Sequence, residues 1–214
     1  MLIIIGNQKG GAGKSTLTLL LANFLTLVKK RKVTVIDMDY QQSLAQKYEK
    51  ARAKEDRENY EIIAAGLEHF PSMYTVLSQS LDHIVIIDLP GKLDDDGLIP
   101  VFSKADLVLC PFSYDEFSFD STVLFSVVLK KINPGGQLVY IPNRIKGNVR
   151  YDTASEVEAQ LSKFGKLTPA ISDRVDFQRT DTFQTPLSLY PVILPVFEQI
   201  YAGYIENFAV KPIK

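Results

Sequence analysis

A glycine-rich segment near the start, GNQKGGAGKST at residues 6–16, constrains the fold of this chain more than any other feature of its sequence. It follows an apolar run of β character, LIII, and precedes a long apolar segment with helical spacing. Gly10, Gly11 and Gly13 carry no Cβ atoms, so the backbone can turn tightly and aim its N–H groups at an anion beside the positive end of a helix. A loop of this kind between a strand and a helix predicts an α/β domain that binds phosphate.

The side chains of this loop favour a nucleoside triphosphate over a simple anion. Lys14 follows the last glycine, where its ammonium group can bridge β and γ phosphate oxygens, and the hydroxyl of Ser15 can face Mg²⁺. The backbone from Gly11 through Ala12 to Thr16 supplies the N–H groups of the cradle. A strict G-x-x-x-x-G-K-[ST] pattern does not match, because the first glycine position is a glutamine.

Strand-like and helix-like segments alternate along the whole chain. Seven short runs are apolar on both faces, as the strands of a covered parallel sheet are. These runs are residues 2–5, 32–37, 60–65, 83–88, 106–112, 137–143 and 166–171. The alternation predicts a single domain over residues 1–214, an α/β doubly wound fold with a mostly parallel sheet and helices on both faces.

Three aspartates lie at the ends of two predicted strands. VTVIDMD ends in Asp37 and Asp39, whose spacing of two places both carboxylates on one side of the strand end, and HIVIID ends in Asp88. A single aspartate at a strand end is commonly a helix cap or a turn former. Three of them at the carboxyl edge, where this class of fold binds ligands, instead predict a Mg²⁺–triphosphate site, because Mg²⁺ prefers oxygen ligands.

Composition excludes several classes of protein. One cysteine, Cys110, cannot form a disulfide framework or a Cys-x-x-Cys metal site within one chain, which favours a reducing, cytoplasmic location. The sequence starts on a predicted strand and not on a signal peptide, and no apolar run approaches the roughly 20 residues of a transmembrane helix. The formal net charge of -1 leaves any contact with nucleic acid to a local basic patch.

Two further segments carry expectations about helices. Residues 46–61 mix basic and acidic side chains, which predicts a solvated helix with pairs such as Arg52 with Asp56; a partner-binding surface is the alternative. The apolar spacing of residues 192–210 predicts a last helix that packs on the body of the protein, with Pro195 in its first turn. A membrane-binding tail is the alternative for this last helix.

QKGGAGKST, VTVIDMDYQQ and HIVIIDLPG together resemble the ParA/MinD group of deviant Walker-A ATPases, which are SIMIBI-class P-loop proteins, and the match extends over most of the chain. Since the loop begins within ten residues of the start, the chain looks most like the short ParA/Soj-like partition proteins. The resemblance implies ATP and Mg²⁺ as cofactors, slow partner-stimulated hydrolysis and an ATP-dependent nucleotide-sandwich dimer. In that dimer Lys9 would reach across to the partner's phosphates, where a cation donated in trans offsets the repulsion between two nucleotides.

The family pattern also implies roles for individual side chains. Asp39 would position the attacking water. Asp37 would support the Mg²⁺ shell near Ser15, and Asp88 would be the Walker-B carboxylate.

A later segment, VYIPNRI, resembles the family's V-N-R segment. Asn143 would then hydrogen-bond the adenine edge with Arg144 beside it, while a simple turn residue is the alternative for Asn143. The Asn-Lys-x-Asp motif of guanine-specific GTPases is missing, which favours ATP. The chain departs from the family where Tyr40 and Gly91 replace prolines of the two switch segments, so the stiffness of these segments can differ here.

The leading functional hypothesis is an ATP-driven molecular switch that acts in plasmid or chromosome partition or in positioning a cellular complex. Its expected partners are a second copy of the chain, nonspecific DNA and a ParB-like stimulating protein. Five side chains form the candidate DNA patch, for which scattered surface charge is the alternative: Arg144, Lys146, Arg150, Lys163 and Lys166. The competing function is an ATP-dependent small-molecule synthetase related to dethiobiotin and cobyrinic acid a,c-diamide synthetases, which would phosphorylate a small carboxylate.

Overall fold

The seven predicted strands form one sheet in the computed structural model, which describes residues 1–53, 59–77, 82–92, 95–182 and 184–208. They are β1 (Leu2–Ile5), β2 (Lys32–Asp37), β3 (Glu61–Ala64), β4 (His83–Asp88), β5 (Leu107–Phe112), β6 (Gln137–Pro142) and β7 (Lys166–Leu167). Their order is β3-β2-β4-β1-β5-β6-β7, and every neighbouring pair is parallel. This topology confirms the predicted doubly wound α/β fold.

Helices connect the strands on both faces of the sheet. They are α1 (Lys14–Asn23), α2 (Ser43–Arg52), α3 (Phe70–Leu77), α4 (Leu98–Lys104), α5 (Glu116–Ile132), α6 (Ala154–Leu161) and α7 (Tyr190–Ile200). Single π-helical turns extend α1 over Phe24–Val28 and α7 over Tyr201–Ile205. Within the described ranges, no helix is long and apolar enough to cross a membrane.

Alternating residues of the central strand separate the core into two layers. Ile3 and Ile5 of β1 contribute to a cluster with α1, α2 and α7, whereas Leu2 and Ile4 pack with α3 to α6 on the other face. This is the period of two that a strand buried on both faces must have. Both layers are apolar, so β1 and the loop that follows it are held from both sides.

Helix α1 is covered almost all round, as its apolar sequence predicts. Eight of its ten residues are buried, and its C-terminal extension packs on the last helix, where the rings of Phe24 and Phe197 lie 5.6 Å apart. Burial of this extent favours the folded state by roughly 1.5–3 kcal/mol for each large apolar side chain. The helix therefore gives the preceding loop a fixed support.

Three expectations about element boundaries need correction or lie outside the described residues. The last helix begins at Tyr190, so Pro195 lies inside it and not in its first turn, which Pro191 occupies instead. Strand β7 has two residues where six were expected, because the N–H that pairs with the carbonyl oxygen of Pro142 comes from Ile171 and not from Ala170, so an extra residue interrupts the regular pairing with β6. Helix α2 ends at Arg52, and the predicted partner Asp56 lies outside the described residues.

Candidate functional site

The glycine-rich loop lies where the sheet changes its direction of growth. Strand β1 has β4 on one side and β5 on the other, and the loop leaves its carboxyl end to enter α1. In doubly wound sheets the crevice for a ligand opens at this point. The same edge carries the ends of β2 and β4, because Asp37 and Asp88 are direct neighbours in the parallel register.

Two glycines of the loop adopt backbone conformations that disfavour other residues. The φ angles of Gly11 and Gly13 are 75° and 91°, in the left-handed region. A Cβ atom at Gly13 would also lie 2.4 Å from the side-chain nitrogen of Asn143, closer than any real contact. The loop thus needs glycine at position 13 both for its backbone angles and for the approach of β6.

Lys14 lies beneath the loop with 8% of its surface exposed. Its Nζ atom is 3.5 Å from the carbonyl oxygen of Lys9, and a Cβ atom at Gly91 would lie 3.5 Å from the same Nζ. Burial lowers the pKa of Lys14. The nearby negative charges of Asp88 and Asp39 raise it, but by less than burial lowers it. A cation in this position is poised to gain an anionic partner, and the second switch segment at Gly91 lies against it.

Asp88 is the most perturbed carboxylate of the site. It is 1% exposed, and its Oδ1 atom accepts a hydrogen bond from the Thr18 hydroxyl at 3.3 Å. Its Oδ2 atom is buried and has no hydrogen-bond partner among the described residues. Burial raises the pKa of Asp88 to about 7, and the charge of Asp37 adds to this, whereas the Ser15 hydroxyl and Lys14 act in the opposite direction. The free oxygen marks the point at which a ligand can be received.

Asp37 and Asp39 lie beside Asp88 but have local partners. The Oδ2 atom of Asp37 accepts hydrogen bonds from the N–H groups of Leu44 and Ala45 at 2.9 and 3.0 Å, which caps the start of α2. Its Oδ1 atom accepts the N–H of Asp39 at 3.2 Å. Burial raises the pKa of Asp37, and these backbone hydrogen bonds oppose the rise. The capping alternative therefore describes Asp37 in this structure, and its role at a metal stays a prediction.

The residues present fit a Mg²⁺ ion that is held mainly through phosphate and water. Among the described residues, no three His, Cys, Asp or Glu side chains group closely enough to bind a metal by themselves. The unpartnered Oδ2 of Asp88 and the Ser15 hydroxyl are instead the oxygen groups that such an ion needs beside a nucleotide. The predicted set of Ser15, Asp37 and Asp88 is thus brought to one edge of the sheet.

Asn143 and Arg144 contact the loop itself. The side chain of Asn143 donates a hydrogen bond to the carbonyl oxygen of Ala12 at 2.8 Å, and the Arg144 guanidinium donates to Gly11 at 2.9 Å. Arg144 has a φ of 59°, and its guanidinium also lies 3.9 Å from Asp173. Both side chains therefore brace the loop from the side of β6, while contact of Asn143 with adenine stays a prediction.

A pocket of about 450 Å³ opens beside this contact. It is bounded by the loop at Gly11, the end of β5 at Phe112, the side chain of Asn143 and the segment that carries Val149 and Tyr151. Charged side chains complete the lining: Lys9, Asp115, Arg144, Lys146 and Asp173. Apolar and aromatic walls with polar groups at the rim, next to a phosphate cradle, suit a nucleoside. Of the four wall positions named first, Asn143 and Gly11 were predicted as site residues from the sequence.

Lys9 lies on the exposed side of the loop. Its ammonium group is 3.3 Å from Oδ1 of Asp115 and 5.5 Å from the centroid of the Phe117 ring. Its side chain is 35% exposed, compared with 8% for Lys14 as a whole residue. Lys9 thus has a partner within its own chain, and its predicted contact with a second chain stays untested.

Several side chains that shape the site were missed by sequence reasoning. Asn7 is fully buried and donates hydrogen bonds to the carbonyl oxygen of Pro111 and the hydroxyl of Thr122, which ties the loop to β5 and α5. Thr18 was detectable as a polar position in an apolar helix. Asp115 was detectable as a helix cap, since an aspartate three residues before Ser118 is a common start signal.

Comparison with known proteins places this geometry in context. A family model described as the CobQ/CobB/MinD/ParA nucleotide binding domain matches residues 3–187. A plasmid partition protein from Borrelia burgdorferi B31, solved with bound AMPPNP, is 26% identical, with 92% of this chain and 98% of that chain covered and a TM-score of 0.68. No curated protein sequence is similar enough to this chain to count as a match.

Two more distant solved structures share the fold. The cell division ATPase MinD of Pyrococcus furiosus is 17% identical, with 94% of this chain and 98% of that chain covered and a TM-score of 0.72. The MinC:MinD cell division complex of Aquifex aeolicus is 17% identical, with 100% and 98% covered and a TM-score of 0.70. At this level of sequence identity, the similarity shows a shared fold and nothing more.

Proposed function

Since the chain belongs to the CobQ/CobB/MinD/ParA nucleotide binding domain family, as its motifs predicted, we propose that it is an ATP-binding and ATP-hydrolysing switch that dimerises when ATP is bound. We place its role in plasmid or chromosome partition or in positioning a cellular complex, and we treat residues 1–214 as one ATPase domain. Similarity to a plasmid partition protein and to cell division ATPases supports this choice.

The observation that carries the proposal is the meeting of Lys14 and Asp88 beneath the loop. A buried ammonium group of lowered pKa lies near a buried carboxylate with one unpartnered oxygen. Buried polar atoms without partners are rare, and they concentrate at functional sites. A phosphate group above Lys14, with a hydrated cation at Asp88, would satisfy both groups at once.

Binding uses groups that the fold already holds in place. The N–H groups from Gly11 to Thr16 would surround the β-phosphate, with Lys14 placed to neutralise charge at the terminal phosphates. The nucleoside would occupy the pocket of about 450 Å³ beside Asn143. Because Asn143 is 6% exposed and already bonded to the loop, it would link the position of the base to that of the phosphates.

Hydrolysis needs a water molecule in position to attack and groups that stabilise the negative charge on the terminal phosphates. Mg²⁺, when bound with ATP, would supply electrostatic stabilisation of the terminal phosphates. Ser15, Asp37 and Asp88 would hold it. Asp39 lies at the same edge, where its carboxylate can orient the attacking water, and its backbone is fixed by the hydrogen bond to Asp37. Turnover would be slow until a partner orders this first switch segment.

Lys9 supplies the link between nucleotide and dimer. Its exposed ion pair with Asp115 contributes about 0–1 kcal/mol, so the side chain can leave it at little cost. Two facing nucleotides repel, and an ammonium group donated by the other chain reduces that repulsion. The dimer would therefore form when both chains carry ATP and separate after hydrolysis.

The surface bound by the dimer is proposed to be DNA, with a ParB-like protein as the stimulating partner. Two cations of the proposed patch have acidic neighbours, Arg144 at Asp173 and Arg150 at Asp152. Retention on DNA that requires ATP and is lost at moderate salt would support the patch. Retention that is absent, or that ignores ATP, would remove DNA from the proposal.

Sizing of the protein in solution tests the switch. Sedimentation of wild type and Lys9→Ala with Mg²⁺ and either ATP or ADP should show a dimer for the wild type with ATP alone. The variant should stay monomeric and still bind nucleotide. Persistence of the dimer in Lys9→Ala would exclude the trans role. A protein that turns over ATP only when a small carboxylate is added, and never dimerises, would instead be the synthetase.

A further inference from the structure

A tight turn follows β2 at the edge of the sheet that carries the phosphate loop. The N–H of Gln42 donates to the carbonyl oxygen of Asp39 at 3.0 Å, which closes a β-turn over residues 39–42. The Oδ1 atom of Asp39 also accepts the N–H of Gln41 at 3.0 Å. Because its carboxylate is bonded within the turn, the direction in which Asp39 points depends on the conformation of the turn.

Tyr40 occupies the second position of this turn. Proline is favoured at that position, because its ring presets the φ angle that the turn requires. A tyrosine leaves φ free, so the backbone loses more conformational entropy when the turn forms. The turn that carries Asp39 therefore needs support from another contact.

The hydroxyl of Tyr40 makes such a contact with the start of α4. Although Tyr40 is 64% exposed, its hydroxyl donates a hydrogen bond to Oδ2 of Asp95 at 3.0 Å. Asp95 is itself held in place, since its Oδ1 atom accepts the N–H of Gly97 at 2.8 Å and its carbonyl oxygen accepts that of Leu98 at 3.0 Å. Leu98 is buried in the core. The bond thus ties the turn to a fixed helix start.

The two connections that this bond joins both reach Lys14. The connection from β2 to α2 brings the charge of Asp39 near the Lys14 ammonium group. The connection from β4 to α4 approaches through Gly91, where a Cβ atom would lie 3.5 Å from Nζ of Lys14. The hydrogen bond between Tyr40 and Asp95 therefore restrains the turn beside the place proposed for the terminal phosphates.

We propose that Tyr40 is a positioning residue for ATP hydrolysis, and that its hydrogen bond to Asp95 holds the turn in the conformation that directs the Asp39 carboxylate at the attacking water. The inference rests on the proposed function, in which Asp39 orients that water. Tyr40 acts through Asp39 and takes no part in the chemical step. Loss of the bond lowers the fraction of bound ATP that has Asp39 in place, which reduces kcat and leaves KM unchanged.

A double-mutant cycle tests the bond. ATP hydrolysis is measured with Mg²⁺ for the wild type, Tyr40→Phe, Asp95→Ala and the double variant. Each single variant should lower kcat by about three- to tenfold, as expected for one hydrogen bond, with KM for ATP within about twofold of the wild type. The double variant should be no slower than the slower single variant, because both substitutions remove the same bond.

Two controls match these changes at other places. Tyr204→Phe removes a hydroxyl from the C-terminal turn after α7, which packs in the other layer of the core from α4. Asp96→Ala removes an exposed carboxylate from the neighbour of Asp95. Both variants should match the wild type in kcat and KM. The melting temperature of Tyr40→Phe should stay within about 2 °C of the wild type, since exposed substitutions rarely affect stability.

Tyr40→Pro separates support of the turn from any other role of the tyrosine. Tyr40 does not have a positive φ angle, so proline can preset the turn without the hydroxyl. This variant should hydrolyse ATP within about twofold of the wild type and faster than Tyr40→Phe. A Tyr40→Pro protein as slow as Tyr40→Phe would overturn the inference, because fixing the turn would then not restore the rate.

The possible failures are distinguishable. A wild type that binds ATP without hydrolysing it, alone and as a dimer, would sink the proposed function and the inference with it. A wild type that hydrolyses ATP while Tyr40→Phe is equally fast would overturn the inference alone. The same holds if Tyr40→Phe raises KM and leaves kcat unchanged, since the tyrosine would then serve nucleotide binding. Additive losses in the double variant would show that Tyr40 and Asp95 act independently, which would also overturn it.

Discussion

The two lysines of the phosphate loop lie in opposite surroundings. The floor of the loop, which we define as Lys14, Thr18 and Asp88, is buried beneath the backbone and shares a connected set of polar contacts. The rim, which we define as Lys9, Asp115 and Phe117, is open to solvent. Both belong to one loop and its neighbouring helix ends, so the chemistry of lysine alone does not determine their roles.

This difference shows how one loop can serve two purposes. Desolvated charges interact strongly and resist rearrangement, so the floor is suited to a nucleotide site that must keep its geometry. Exposed pairs contribute little, so the rim can exchange one partner for another at low cost. Under the proposed function, the buried floor would bind the nucleotide tightly and the exposed rim would associate reversibly with a second chain.

Substitution of each lysine by alanine tests this division most severely. Lys14→Ala should weaken the binding of Mg²⁺–ATP by about 100-fold or more, because the buried cation opposite the phosphates is lost. Lys9→Ala should change the affinity of the monomer by less than about threefold, since its ammonium group points to Asp115. Calorimetric titration at a protein concentration below that of dimer formation measures both. Equal losses in the two variants would break the comparison.

A second prediction concerns the free energy of unfolding, which burial of the Asp88 carboxylate in the floor lowers. The pKa of Asp88 is raised to about 7 from an ordinary value of 3.8, so the folded protein retains a proton between about pH 4 and 7 that the unfolded chain has released. Stability therefore falls as pH rises through this window. Asp88→Asn cannot ionise, and without nucleotide it should be more stable than the wild type at pH 8 by about 1–3 kcal/mol. At pH 4 the gain should be close to zero.

Urea unfolding in EDTA at pH 4, 6 and 8 measures this gain. Asp152→Asn is the control, because Asp152 has 78% of its side chain exposed in a pair with Arg150, and its substitution should give no comparable trend with pH. If Asp88→Asn is instead less stable than the wild type at pH 8, the contacts of the carboxylate stabilise the folded state by more than its burial costs. In either case the variant should lose hydrolysis.

Lys14 and Asp88 of the floor could be placed from the sequence, whereas Thr18 and the contacts of the rim could not, for a physical reason. Gly13, Lys14 and Asp88 lie at places fixed by the order of strand, loop and helix, and parallel strands bring such ends to one edge. The seven strands were located to within two residues except for β7, where an extra residue before Ile171 interrupts the pairing with β6. These features depend on local periodicity and on a topology with few alternatives.

The contacts of the rim depend on how side chains from distant parts of the sequence are oriented in the folded protein. Nothing in the spacing of Lys9 and Asp115, which are 106 residues apart, predicts that they pair. For Asp37 the sequence predicted the placement at a strand end and offered the helix cap as an alternative, but it did not decide between a cap of α2 and a role at a metal. The hydrogen bond that the Tyr40 hydroxyl donates to Asp95 at 3.0 Å is a third case, since the two residues are 55 positions apart. Tertiary contacts of this kind require coordinates.

The smallest expected effect tests the rim itself. Asp115→Asn keeps the cap of α5, because an asparagine oxygen can still accept the N–H of Ser118, but it removes the charge that holds Lys9 within its own chain. An exposed pair contributes about 0.2–1 kcal/mol, so the release of each Lys9 should tighten the ATP-dependent dimer by up to about fivefold, and the release of both by up to about thirtyfold. Asp82→Asn changes the net charge equally and removes an exposed ion pair with Arg31 just before β4, at the edge of the sheet opposite the loop, so it should leave the dimer unchanged. Sedimentation over a concentration series resolves the two variants. A weaker dimer in Asp115→Asn would mean that Asp115 belongs to the assembled interface and does not compete with it, and the rim would then be fixed in both states.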